Sequence, residues 1–145
     1  MSMLHLKEKF EELKKKFSEN KNDEIIKECK NILKENKIDV FYNLLCLAYN
    51  NKGETYKSIE VMKEALNYNP KNTDFYNNIG MSYANIYKYK KAEAFYKKGL
   101  EIDQNNLEIL NNFGNLKKSL YKSEEAVEIF KKILSIQSNA ITVIY

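Results

Sequence analysis

Apolar positions recur along this chain at intervals of three and four residues, the spacing that keeps side chains on one face of an α-helix. Tyr76, Ile79 and Tyr83 form one such stripe, and Ala92, Phe95, Tyr96, Gly99 and Leu100 form another shortly after it. Ile25, Cys29, Ile32 and Leu33 make a third stripe, and Phe10, Leu13 and Phe17 a fourth. The segments between stripes are short and polar. The pattern predicts amphipathic helices joined in pairs, each pair folded back so that its two apolar stripes face each other.

The pairs repeat. Tyr42, Leu45, Tyr49, Ser58, Met62, Ala65 and Pro70 are followed, about 34 residues on, by Tyr76, Ile79, Tyr83, Ala92, Tyr96, Gly99 and Gln104. A second shift lands on Leu110, Phe113, Lys117, Ala126, Phe130, Ile133 and Ser138. Cys46, Gly80 and Gly114 align as well, each directly after the apolar residue of the first helix, where a small side chain lets the partner helix come close. Gly53 suits the turn inside the first of these units, where a positive φ is common. Tyr87 and Tyr121 hold that place in the next two, so those turns are expected to close without glycine.

This succession of large, apolar, small, aromatic, small and large residues resembles the tetratricopeptide repeat. The resemblance implies an all-α fold, a right-handed α-solenoid of antiparallel helical hairpins with about three full repeats. The whole chain, 1–145, is read as one domain with repeats at 39–72, 73–106 and 107–140. Residues 4–37 are read as a divergent N-terminal hairpin, its first helix about one residue out of register, and residues 141–145 as the start of a truncated further repeat. The sequence departs from the family pattern in keeping the terminal proline only as Pro70, in having Lys117 where an aromatic is usual, and in lacking Trp.

Composition narrows the classes of function. With 43% apolar and 12% aromatic residues in 145, the chain can build a core, and one Pro and four Gly favour helices over a sheet with many turns. All 24 basic residues are Lys, against 20 acidic ones, for a net charge of +4. Without Arg there is no bidentate recognition of phosphate or base edges, so no nucleic-acid partner is expected. Nowhere is there an apolar run of about 18 residues, and the N-terminal segment alternates Lys and Glu, so no membrane partner is expected and the location is read as cytoplasmic. Cys29 and Cys46 are read as buried structural thiols, and His5 stands without an acid or metal partner. No catalytic constellation, metal site or cofactor site is found, and the chain is not expected to be an enzyme.

In the family that the sequence resembles, the first helix of each hairpin lines a concave groove that binds other polypeptides. The corresponding positions here offer Asn43, Leu47, Asn77, Asn78, Met81, Asn111, Asn112, Asn115 and Lys118 as the candidate peptide-binding residues. Asn43, Asn77 and Asn111 form one register, and Asn78 and Asn112 a second, broken in the first repeat by Leu44. A side-chain amide presents one acceptor and two donors, which suits pairing with an extended peptide backbone. The second register is similar to the asparagine ladder in the superhelix of O-linked N-acetylglucosamine transferase. An AT-rich coding bias also accounts for abundant Asn, as at Asn31, Asn67 and Asn69, whereas Asn within helices carries a propensity penalty at each place. Both explanations stand on the sequence.

The expected partner is a polypeptide, extended or helical, held by a non-catalytic scaffold. Family members that clamp a terminal carboxylate use Lys, Arg and Asn, whereas this groove offers Asp74 and Glu108, with Lys118 its main cation, so that mode is not expected. Two alternatives are a substrate-recruiting arm of a larger enzyme of glycosyltransferase, sulfotransferase or methyltransferase type, and a self-assembly module. In the latter, a homodimer forms through the C-terminal edge, where Val127, Phe130, Ile133 and Leu134 meet the apolar segment from Ile141 to Tyr145.

Overall fold

The structure, a computed structural model, describes residues 1–142. It contains α1 (Met3–Ser18), α2 (Asn22–Glu35), α3 (Asp39–Asn51), α4 (Thr55–Tyr68), α5 (Thr73–Asn85), α6 (Tyr89–Ile102), α7 (Leu107–Ser119) and α8 (Ser123–Thr142), and no strand among the described residues. Successive helices pack on one another. The odd-numbered helices also touch their odd-numbered neighbours, whereas even-numbered helices do not touch each other. The stack therefore curves with α1, α3, α5 and α7 on its inner side.

All four hairpin turns have one construction. Asn20, Gly53, Tyr87 and Tyr121 take φ values of 59°, 75°, 60° and 59°. The next N–H donates back to Lys16, Tyr49, Tyr83 and Lys117 respectively, at 2.9–3.0 Å, closing the helix end with a left-handed residue. Two of the four are Tyr, so the turn without glycine is the same turn, made at a steric cost. The turns also fix the alignment of α1: Lys9 and Lys16 stand where Tyr42 and Tyr49 stand in α3. Phe10 and Phe17 fall one place later, as the one-residue offset required.

The aromatic slots in α1 are thus charged. Glu28 of α2 receives Lys16 at 2.5 Å and Lys9 on its other oxygen, and Lys16 also meets Glu12 and Glu24 at 3.1 Å. Burial would raise the Glu28 carboxyl, but its bonds to Lys16 and Lys9 outweigh that and hold it below the usual range. Leu13, fully buried, occupies the slot held by Cys46, Gly80 and Gly114. The extent of contact within a hairpin follows slot size: it is greatest where the slot is Gly, in α5 with α6 and α7 with α8, and least in α1 with α2, where it is Leu13.

The core runs continuously through Leu13, Ile25, Cys29, Phe41, Tyr42, Met62, Phe75, Ile79, Tyr96 and Ile109. Phe41, Phe75 and Ile109 hold equivalent first-helix places and are 0–1% exposed, sealing each hairpin to the one before. On the outer edge of the junctions Asn72 donates to Asp39 at 2.7 Å and Asn106 donates to Thr73 at 3.2 Å, while each also accepts an N–H of the helix that follows it. The further repeat expected at 141 has no break before it: α8 continues through Ile141 and Thr142, since no Gly or Pro stops it. Val143, Ile144 and Tyr145 lie outside the described residues.

Candidate functional site

The inner face carries the amides in a different role from a free ladder. Asn78 Nδ2 donates to Asn43 Oδ1 at 2.8 Å, and Asn112 Nδ2 donates to Asn77 Oδ1 at 2.9 Å. The second register of each repeat therefore bonds the first register of the preceding repeat, and the rungs tie α3 to α5 and α5 to α7. Asn77 is 3% exposed and its own Nδ2 lies 3.8 Å from Met81 Sδ, so its amide serves helix packing instead of facing the groove. Asn43, Asn78 and Asn112 are half-buried, and Asn111, Asn115 and Lys118 are exposed.

The inner face also leaves large apolar side chains open, beside the exposed Asn111, Asn115 and Lys118. Val40, Leu47 and Met81 are 39%, 37% and 36% exposed. Between α1 and α3 lies a cavity of about 390 Å³, walled by Phe10, Phe17, Val40, Leu44 and Leu47, with Asn43 and Lys14 beside it. Between α5 and α7 a second, of about 300 Å³, is bounded by Met81, Asn85, Asn112, Asn115 and Ser119. Leu44, where the second register breaks, thus shares a cavity with Phe10 at the place where the next repeats bring two amides together. The groove has an apolar end and an amide end.

Sequence reasoning missed Phe10 and Phe17 as groove residues because it assigned them to the core stripe. Alignment on the turn, setting Asn20 against Gly53, would have placed them correctly. It also missed a polar knot deep in the α3, α4 and α5 packing. Ser58 and Ser82, both fully buried, lie 2.9 Å apart, and Asn50 accepts from Ser58 at 2.8 Å and donates to Ser82 at 3.0 Å. Cys46 abuts this knot, its thiol pushed up to about 11 by burial, and burial takes Cys29 up to about 12. Both cysteines are free and buried.

Lys117 is 3% exposed and bonded to Glu93 at 2.9 Å and Glu125 at 2.6 Å. Burial would lower its ammonium, but the bonds to Glu125 and Glu93 dominate and raise it. This group is an ion-paired substitute for the aromatic of the slot, filled on all sides by its own partners. Among the described residues no group of His, Cys, Asp and Glu could hold a metal ion, and no helix is long and apolar enough to cross a membrane.

The eight helices and their shared inner face define a solenoid of antiparallel helical hairpins. The chain belongs to the tetratricopeptide repeat family, whose pattern it matches over residues 38–72, 73–106 and 107–139. No curated protein sequence matches it. Among solved structures it is similar to MamA, with a TM-score of 0.71 and 22% identity over 81% of this chain and 69% of that one. It is also similar to the second repeat domain of Spaghetti (RPAP3), bound to the HSP90 peptide SRMEEVD, with a TM-score of 0.58, 22% identity and coverage of 63% and 84%. The Arabidopsis OM64 domain gives a TM-score of 0.59 at 22% identity, covering 65% and 78%. At such identities these likenesses establish the fold.

Proposed function

We propose that the chain is a non-catalytic scaffold that holds a segment of another polypeptide along the inner face of α1, α3, α5 and α7. The observation that carries this reading is the line of exposed apolar side chains, Val40, Leu47 and Met81, on helices whose spacing is fixed by the amide rungs. Apolar side chains left exposed in a concave, prearranged surface are what a peptide can cover at low entropic cost. Asn111, Asn115 and Lys118, with Asn43, Asn78 and Asn112 partly accessible, supply donors and acceptors for its backbone. A solved neighbour of the same fold is bound to a peptide of HSP90, which supports the mode of use. That peptide is acidic, whereas Asp74 and Glu108 are exposed here, so a terminal-carboxylate clamp is not the mode proposed.

Panning a displayed library of random short peptides on the full chain, then measuring selected peptides on wild type, Met81→Glu and Asn115→Ala, tests the reading. Each neutral hydrogen bond contributes about 0.5–1.5 kcal/mol, so Asn115→Ala is expected to weaken binding severalfold and Met81→Glu more. Equal binding by all three proteins would overturn the groove as the site. Asn78→Ala with Asn112→Ala is the less discriminating choice, because it also cuts the rungs between helices.

A second reading, self-assembly into a homodimer, is favoured by one further observation. Val127, Leu134 and Ile141, spaced seven apart on α8, are 49%, 63% and 60% exposed.

A further inference from the structure

The apolar end of the groove is more specific than a general peptide trough. Two cavities meet there, sharing Phe10 and Val40 as a common wall. The first, of about 390 Å³, lies towards Leu47, and the second, of about 410 Å³, lies towards Leu6 and Phe41. Apart from the Asn43 amide in the first, each is lined by apolar side chains and a single charged residue, which is a lysine in both cases: Lys14 in the first and Lys7 in the second. Lys14 sits 5.1 Å from the centre of the Phe10 ring and is paired with Glu11 at 2.9 Å across a half-exposed contact, which water weakens. No ion pair engages Lys7 among the described residues, and no carboxylate lines either cavity.

Phe10 and Phe17 are in this place because Lys9 and Lys16 took their core slots. The shift gives up the usual aromatic packing of a hairpin and puts two rings on the inner face. The amide rung found between later repeats is replaced by Phe10 and Leu44 around one cavity. The chemistry therefore changes along the groove, from amides with Asp74 and Glu108 nearby to paired apolar cavities edged by ammonium groups.

We propose that the trough between α1 and α3 is the anchor subsite of the groove, taking an acidic segment with two large apolar side chains, one for each cavity, and carboxylates that face Lys7 and Lys14. This rests on the groove reading above and adds the class of ligand. Apolar anchors supply the affinity and the lysines select against basic segments, since like charges brought together on docking are repelled.

The test uses the full chain and the same displayed random-peptide library. Selected sequences are expected to be enriched in pairs of Leu, Ile, Phe or Met flanked by Asp or Glu. A selected peptide, synthesised with a fluorescent label, should bind wild type at least about tenfold more tightly than Leu47→Asp and severalfold more tightly than Lys14→Glu, with affinity falling as salt is raised. Leu47 and Lys14 are exposed enough for both variants to fold, which circular dichroism checks, and Leu47→Ser is the milder second variant. Selected peptides that are basic, or that bind Leu47→Asp and Lys14→Glu as well as wild type yet lose binding in Met81→Glu, would overturn the anchor subsite and leave the groove reading intact. A trough found occupied by a second copy of the chain would also overturn it. A library yielding no binder at all would remove both.

Discussion

Two tyrosines stand where the backbone prefers glycine. Tyr87 and Tyr121 hold φ near +60° at 78% and 94% exposure, so little packing offsets the strain between Cβ and the carbonyl. At Tyr121 in particular no ring partner is present among the described contacts, whereas Tyr87 meets Tyr89 edge-on at 6.1 Å. Tyr121→Gly is accordingly expected to raise stability by about 1 kcal/mol, less a few tenths for the greater freedom of glycine in the unfolded chain. Tyr87→Gly should gain less. Gly53→Ala, at φ 75°, should lose about 1 kcal/mol although nothing stands near its Cβ. Urea unfolding of the three variants checks the order, and a Tyr121→Gly chain less stable than wild type would show that the ring has a contact that the turn geometry does not reveal.

Between helices, the small slot decides how closely a hairpin closes. A Cβ on Gly80 would stand 2.4 Å from the ring edge of Tyr96, itself 2% exposed, and one on Gly114 would stand 2.9 Å from the half-exposed Phe130. Gly80→Ala should therefore cost about 1–3 kcal/mol and Gly114→Ala less, since Phe130 has room to move. Thermal unfolding of both variants compares them. These slots were legible in the sequence, because an apolar-small pair recurring at one spacing has few other physical explanations. So were the hairpins and the groove helices. The one-residue offset of α1 was legible too, but its consequence was not: Phe10 and Phe17 mimic a core stripe, and only the turn at Asn20 shows that Lys9 and Lys16 hold the slots. The amide rungs escaped for a related reason: sequence places Asn43 and Asn78 on one face, but only the tilt between successive helices brings the second register of one repeat to the first register of another. Lys117 was visible as a departure, and its carboxylate partners were not, since Glu93 reaches it from a preceding hairpin. Both carboxyls of this group lie below their usual range, Glu93 because its bonds to Lys97 and Lys117 overcome burial, and Glu125 chiefly through Lys117. Their stabilisation is complete above an unfolded carboxylate value of about 4.3 and is lost as pH falls through the depressed folded values. The raised Lys117 contributes fully below about 10.4 and loses its share only in strong alkali. Melting temperature should hence drop on acidification below about pH 4, and more gently in Lys117→Tyr, which restores the slot's aromatic; identical acid limbs would place the acid sensitivity elsewhere, with the Glu28 cluster the next candidate.

For the whole molecule, the two ends of the stack differ in what they present. At the N-terminal end the slots that would otherwise be aromatic are filled by Lys9 and Lys16, bound to Glu28, so charge is brought into that hairpin. At the other end α8 offers Val127, Leu134 and Ile141, while the equivalents of the first two in α4, Ile59 and Leu66, are buried or half-buried beneath the next hairpin. The same surface that α4 closes on α5 is thus open on α8. Three large apolar side chains in a row along a helix of 20 residues are what two antiparallel copies could bring together about a two-fold axis, each covering the other's stripe. Burying an exposed Leu or Ile contributes about 1.5–3 kcal/mol before the cost of association, so three pairs of contacts are expected to give at most a weak dimer, its population rising with concentration. Light scattering over a concentration series should show the mass rising towards twice that of one chain, and Leu134→Glu should hold it at one. Scattering that reports a single chain at every concentration would remove the homodimer and leave the groove proposed for peptides, on the inner helices, untouched.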